Sequence, residues 1–416
     1  MKVLLVSTYD IIGGAARAAY RLHQGLRSVG CDSRMLVQVK AGQDDSVLGP
    51  RTRSGRLVGM LKPPLDVAPL SLCKRRLSRD FTMQLLPGLS AARLNDMGAD
   101  VVNLHWVGGS FVAPEQVARI AAPLVWTLHD MWPFTGGCRY SRDCGKYRDN
   151  CGACPELGSR FQWDASRLGW LRKRRSWRDL QLTVVAPSRW LAECVTRSSL
   201  MREARVEVIP NGLNTSAYRP IDRALARSLL GLPLDVPLVA FGAEAATSDP
   251  RKGFAELVAA VRKLSAVTMP STPQLVVFGG RLGLDLPLKT HALGRLNDEL
   301  SLALVYSAAD LFVAPSLQDN LPNTVLEALS CGAPVVAFRI GGMPDMVEHL
   351  RCGYLAQPGD TGDLAEGIRW VLADRERRAQ LSRQSRDRAQ TAFAQNVQAR
   401  RYLELYSDLV HRAERN

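Results

Sequence analysis

The chain has 416 residues, 46% of them hydrophobic, enough to bury two ordinary domain cores. No run approaches the ~18 consecutive apolar residues of a spanning helix, and the start, Met1-Lys-Val-Leu-Leu-Val-Ser-Thr-Tyr-Asp10, turns polar too soon for a signal peptide, so a cytoplasmic location is expected. The net charge of +14 is lopsided: residues 1–215 hold 31 Lys and Arg against 18 Asp and Glu, while residues 216–416 hold 23 against 22.

The first half alternates short β-type runs with helical stretches, the pattern of a doubly wound α/β sheet. Its predicted strands are residues 3–7, 33–39, 100–104, 124–128, 182–186 and 206–209. Between the first two, Tyr9-Asp-Ile-Ile-Gly-Gly-Ala-Ala-Arg17 opens a helix whose Ala15, Ala18, Ala19, Leu22, Leu26 and Val29 share one face. Gly13 and Gly14 permit close backbone approach to a phosphate or sugar, or serve only the turn. The spacing is not Gly-x-Gly-x-x-Gly, which argues against a dinucleotide fingerprint.

Residues 57–72 are apolar but broken by prolines, so no continuous helix is expected there. Basic clusters flank them: Arg51, Arg53 and Arg56 on one side, Lys74, Arg75, Arg76 and Arg79 on the other, with a third at Arg172, Lys173, Arg174 and Arg175. A one-sided basic field suits an anionic partner, either nucleic acid or an anionic membrane surface, although surface solubility accounts for any single cluster.

Two histidines, His105 in Asn-Leu-His-Trp106 and His129 in Trp-Thr-Leu-His-Asp-Met-Trp-Pro133, follow successive strands. The carboxyl ends of parallel strands are where open α/β sheets hold ligands. Trp106, Trp132 and Phe134 beside them are suited to stacking on sugar faces or to core packing. Directly after come Cys138-x5-Cys144-x6-Cys151-x2-Cys154, in a polar, Gly-rich loop. Such clustering fits a structural tetrathiolate zinc site, with free or redox-active cysteines as the alternative.

The alternation restarts after Pro220, with predicted strands at 238–241, 274–278, 290–293, 311–314 and 335–338. Arg251 and Lys252 lie in a loop between a strand and a helix, placed to neutralise a diphosphate leaving group without metal. The most specific stretch is Pro315-Ser-Leu-Gln-Asp-Asn-Leu-Pro-Asn-Thr-Val-Leu-Glu-Ala-Leu-Ser-Cys-Gly332. It reads as a strand end, a loop, and a helix over 324–330 stopped by Gly332. Phosphate is favoured at such a helix N-terminus. Glu327, one turn in, offers two oxygens to vicinal ribose hydroxyls.

Asp319 and Glu327 resemble the acidic-x7-Glu motif of retaining glycosyltransferases of family 4, which usually have Glu at both ends; here the first is Asp319. The resemblance implies the GT-B fold: two Rossmann-like doubly wound domains facing across a cleft. Residues 1–213 would bind the acceptor, 214–389 the nucleotide sugar, and a final helix, about 390–416, would cross back. It implies sugar transfer from a UDP- or GDP-linked donor to a glycan or polyprenyl-linked saccharide, with an anionic membrane surface as a further partner, no nucleic acid, and no metal needed for catalysis.

By the same resemblance His129 and Asp319 are catalytic. Gly13, Gly14, Arg251, Lys252, Arg295, Asn320, Leu321, Pro322 and Glu327 bind the donor, and His105, Trp106 and Trp132 line the acceptor side. Backbone groups of Gly294-Arg-Leu-Asn297 contact the base, and Gly341-Gly342 and Gln357-Pro-Gly-Asp360 complete the match. Two rivals remain at this stage: a nucleotide-sugar epimerase of GT-B shape, and a zinc-bearing basic nucleic-acid-binding protein that leaves Asp319 and Glu327 unused.

Overall fold

A computed structural model describes residues 1–73, 81–242, 247–267, 269, 271–280, 286–296 and 298–415. The basic cluster Lys74, Arg75, Arg76 and Arg79, the stretch 243–246 and Asn297 therefore lie outside the described residues. The chain divides into two compact units, Met1–Pro210 with Gln398–Asn416, and Asn211–Val397.

The first unit is built on seven parallel strands: β1 (Lys2–Tyr9), β2 (Asp32–Val39), β3 (Val47–Leu48), β4 (Val101–Leu104), β5 (Leu124–Thr127), β6 (Thr183–Ala186) and β7 (Arg205–Val208). Their order is β3-β2-β1-β4-β5-β6-β7. Both faces of the sheet are covered, and period-two alternation sorts the side chains between them. Leu4, Val6, Val102, Leu104 and Trp126 join one core with Trp132, Trp170 and Trp177. Val3, Leu5, Val101 and Val125 join the other with Ala19, Leu22 and Leu26 of the helix Gly14–Ser28.

The second unit has six parallel strands: β8 (Leu238–Gly242), β9 (Gln274–Phe278), β10 (Thr290–Ala292), β11 (Leu311–Ala314), β12 (Val335–Phe338) and β13 (Gly353–Ala356). Their order is β10-β9-β8-β11-β12-β13. Strand order reverses once in each sheet, between β1 and β4 and between β8 and β11. That reversal is where an open α/β sheet parts its loops to admit a ligand.

Two elements depart from the sequence reading. The final helix, expected over about 390–416, spans Gln395–Arg415, and a break at Phe393 and Ala394 parts it from the helix Arg375–Ala392. There the backbone turns aside to bond Leu213, whose N–H donates to the Phe393 carbonyl at 2.9 Å. The helix Gln395–Arg415 packs on the sheet of the first unit: Asn103 donates to the Tyr406 hydroxyl at 2.7 Å, and Thr127 bonds the Tyr402 hydroxyl at 2.9 Å.

The second departure is the helix Arg53–Val67, which runs continuously through Pro63 and Pro64 where no continuous helix was expected. Two adjacent prolines remove backbone donors from a single turn, and tertiary contacts hold that turn in place. Asp66 is buried and accepts hydrogen bonds from the Thr82 hydroxyl, from Ser110 Oγ at 2.7 Å, and from the N–H groups of Met83 and Leu85 at 3.2 Å each.

By these boundaries all of the net charge falls in the first unit. It carries 35 Lys and Arg against 21 Asp and Glu, while the second carries 19 of each.

Candidate functional site

In the second unit the loops after β8 and β11 meet at the strand-order reversal. Lys252 Nζ lies 2.7 Å from Asp319 Oδ2. The same oxygen accepts from Ser316 Oγ at 3.3 Å, and Oδ1 accepts from the N–H of Asn320 at 3.1 Å. Burial alone would raise the Asp319 carboxyl, but Lys252 and Arg251 beside it and the hydrogen bonds it accepts hold it below the usual carboxylate range. Arg251 is fixed by Asp249 at 2.6 Å and donates to the Gln318 carbonyl at 3.4 Å, and the Leu317 N–H bonds the Arg251 carbonyl at 2.8 Å.

Two glycines set the path of the Asp319 loop. Gly253 has φ +73°, and a Cβ there would stand 1.8 Å from the Pro315 carbonyl oxygen. Gly341 has φ +50°, and its Cβ would stand 1.9 Å from the Asp319 carbonyl oxygen. The loop from 315 to 319 is thus gripped at both ends by backbone that only glycine permits. Gly253 sits in the Arg-Lys-Gly element and Gly341 in the Gly-Gly pair, so both positions were visible in the sequence; the clamp they form was not.

The helix Asn323–Ser330 follows, with Pro322 at its N-cap and no side-chain cap. Asn320 and Leu321 are buried in the turn before it. Glu327 is buried on this helix and accepts from the Tyr306 hydroxyl at 3.1 Å. Tyr306 had no signal in the sequence beyond lying on an apolar helix. Burial, then the Glu327 charge, pushes its phenol well above the usual range, so it remains a donor to Glu327. Arg295 is exposed in the turn after β10, apart from the Lys252–Asp319 pair among the described residues.

In the first unit Gly13, with φ +86°, caps the helix that begins at Gly14, at the carboxyl end of β1. His105 follows β4 and His129 follows β5, and the two rings meet: His105 Nδ1 lies 2.9 Å from His129 Nε2, with ring centroids 5.2 Å apart. His105 is fully buried and His129 partly exposed. Burial pushes His129 down to about 4 and, with the neighbouring His129 charge, His105 well below its ordinary value. The pair is neutral at pH 7, one ring donating to the other. His105 Nε2 finds no partner among the described residues.

Trp106 stacks on Tyr9 with centroids 6.1 Å apart and 11° between planes, and the Arg139 guanidinium lies 4.6 Å from its ring. Trp132 is different. It is 2% exposed, gives its indole N–H to the Thr82 carbonyl at 3.1 Å, and has Lys173 Nζ 3.9 Å over its ring and Trp126 against it. No ring face is left for a sugar, so the acceptor role expected of Trp132 is replaced by a packing role. Phe134 is likewise core.

The four clustered cysteines, expected as a zinc site, share one neighbourhood. Cys138, Cys151 and Cys154 are buried and Cys144 half-buried. Cys138 feels the charges of the other three, yet no group of three or more His, Cys, Asp or Glu among the described residues is arranged to hold a metal ion. Cys138, Cys151 and Cys154 pack among apolar side chains. Burial raises Cys151 and Cys154 to about 11 and Cys138 further, and the Gly136 N–H donates to Cys151 Sγ at 3.2 Å.

Residues 12–217 match the family described as Glycosyltransferase Family 4, and residues 237–374 the one described as Glycosyl transferases group 1. Among solved structures, sucrose-phosphate synthase from Thermosynechococcus elongatus superposes with a TM-score of 0.69 at 21% identity, covering 98% of each chain. Anabaena Alr3699/HepE, in complex with UDP and glucose, gives 0.63 at 19% identity, covering 98% of this chain and 99% of that one. The chain is a GT-B protein and belongs to the family 4, group 1 glycosyltransferases.

Among curated relatives, the D-inositol 3-phosphate glycosyltransferase of Mycolicibacterium smegmatis is 35% identical over 212 residues, 47% of this chain and 46% of that protein. The same-named protein of Mycobacterium tuberculosis H37Ra is 33% identical over 184 residues, 41% and 36% of the two chains. The chain thus spans less than half the length of the curated relatives it matches.

Proposed function

We propose that the protein moves a sugar from a nucleotide-sugar donor to a saccharide acceptor, with retention of anomeric configuration, and that the acceptor is carried on a lipid at an anionic membrane surface. The observation that carries the donor half is the Lys252–Asp319 pair, 2.7 Å apart at the strand-order reversal and locked between Gly253 and Gly341. A cation fixed at that point suits a diphosphate. Glu327 faces the ribose hydroxyls in this reading, with Tyr306 orienting its carboxylate.

Departure of the nucleoside diphosphate leaves oxocarbenium character on the sugar, and the acceptor hydroxyl attacks from the same face. Catalysis is then positioning and charge stabilisation, with Lys252 and Arg251 supplying the charge and no metal required. His129, the more exposed ring of its pair, is the group that meets the acceptor, and His105 holds its tautomer. A UDP-linked donor is favoured over a GDP-linked one because HepE binds UDP and UDP-glucose. A lipid-linked acceptor makes sense of a net charge confined to one unit.

Incubation with a panel of UDP- and GDP-sugars, without acceptor, should release nucleoside diphosphate slowly. NMR of the product formed with acceptor should show the donor's anomeric configuration. An inverted anomer would overturn retention, and epimerised donor with no release would favour the epimerase.

A further inference from the structure

The helix Arg53–Val67 is inside out. At about 100° per residue, Gly59, Pro63 and Asp66 fall on one side of it, and that is the side turned to the protein. A Cβ on Gly59 would stand 2.6 Å from the Gln38 carbonyl oxygen, Pro63 lies against Gly109, and Asp66 takes its four hydrogen bonds. The opposite side carries Leu57, Val58, Met60, Leu61 and Leu65, each about half exposed or more. Arg53, Arg56 and Lys62 lie in or beside this apolar arc and Arg51 just ahead of it, and the helix's one acid is the buried Asp66.

A second apolar group stands nearby in the fold. Phe161 is 79% exposed and Trp163 71%, the two barest large apolar side chains among the described residues, with Leu168 exposed behind them and Arg160 and Arg167 beside them. The Arg167 guanidinium lies 5.5 Å from the Trp163 ring. Both groups hang on the same small core of Leu70, Phe81, Cys138, Cys154 and Leu157. Val67 joins it from the end of the inside-out helix and Ala165 from two residues beyond Trp163.

We infer that the inside-out helix and the Phe161–Trp163 tip together form a docking surface for an anionic lipid bilayer, with the leucine arc and the aromatic tip in the interface and the arginines on the headgroups. Charge complementarity selects the bilayer. The arc is rimmed by cations and sits on the unit that holds all of the net +14. An amphipathic helix with basic flanks and an exposed Trp suit the headgroup boundary, where one end of each group is apolar and the other wet. The purpose of the surface rests on the lipid-linked acceptor proposed above; its existence does not.

The test is flotation of the intact protein with phosphatidylglycerol–phosphatidylcholine vesicles and with pure phosphatidylcholine vesicles, at low and high salt. Binding should require phosphatidylglycerol and fall with salt. The triple variant Leu57→Ser, Leu61→Ser, Leu65→Ser and the pair Phe161→Ser, Trp163→Ser should each lose about tenfold or more in vesicle affinity. Brominated lipid should quench wild-type fluorescence more than that of Trp163→Phe.

Both serine variants should release nucleoside diphosphate in solution at the wild-type rate, which separates this surface from donor chemistry. Flotation without release would sink the transferase reading alone. Serine variants that float like wild type, or a wild type indifferent to anionic vesicles at low salt, would overturn the docking surface. So would a wild type that self-associates through the arc, since the arc would then belong to a second copy. If the triple variant misfolds by circular dichroism, Met60→Ser with Leu65→Ser carries the same reading.

Discussion

The two units share a sheet plan and differ in nearly everything laid on it. The second is electrically balanced and concentrates its candidate chemistry in one ion pair, the part-buried Lys252 with the buried Asp319, held by two glycines and a capping turn. The first carries the whole net charge, exposes leucines and aromatics, and pairs two neutral histidines where the other unit pairs two charges. One sheet plan thus supports a glycine-held ion pair in one unit and an exposed apolar, cationic surface on the other, because the framework strands are buried in both and the loops are free to diverge.

Removing Lys252 should break that comparison most severely. Lys252→Ala leaves Asp319 buried beside only Arg251, and affinity for the nucleoside diphosphate should fall by about a hundredfold while the bare nucleoside loses little. Calorimetry with both ligands checks this, and equal losses would contradict the phosphate role. In the first unit, His129→Ala should cut turnover by about a hundredfold with donor affinity nearly unchanged. A defect confined to donor binding would place His129 wrongly.

Acid should separate the units next. His23 and His129 are each held at about 4 by burial, below the ordinary value near 6.5, and His105 lower still. A base with a depressed folded pKa is stable while neutral. Below about 6.5 the unfolded chain takes up protons that the folded first unit refuses, so that unit loses stability as pH falls from about 6.5 toward 4, by on the order of 3 kcal/mol for the fully buried His23.

Asp319 runs on a different scale. Its folded pKa is depressed, so its stabilisation is full above the unfolded carboxylate value of about 4 and is lost as pH falls below it. Melting followed from pH 7 to 4 by hydrogen exchange should therefore show the first unit weakening more than the second, whose depressed histidines, His291 and His349, are half-buried and exposed respectively. Equal weakening would erase the distinction. The smallest expected effect is Asp319→Glu, which restores the acid more usual in the family and should keep turnover within a few fold, because Lys252 can follow the longer side chain.

Most of the framework was legible from apolar runs alone. The stretches at 274–278, 311–314 and 335–338 are strands with those bounds, since buried parallel strands are continuous in Val, Leu, Ile and Phe. The two strands that escaped are weak signals: β3 is two residues long, and β13 opens on Gly353. The inside-out helix escaped because its prolines argue against helix locally and only the buried Asp66 network argues for it.

Of the site, Lys252, Asp319, Glu327, His105 and His129 could be named from sequence, since charge and strand ends are local properties. That His105 bonds His129, that Tyr306 serves Glu327 and that Trp132 is walled in are facts of neighbours far apart in the chain. Cysteine spacing likewise fixes reach along a loop, while the burial of Cys138, Cys151 and Cys154 is set by neighbours far off in the chain.

The glycine clamp has a thermodynamic consequence. A loop that can follow only one path past Pro315 and Asp319 has little freedom left to lose when ligand arrives. Donor association should therefore show a small conformational entropy penalty and little change in backbone order around residues 315–319, in contrast to sites that must fold their phosphate loop around the ligand.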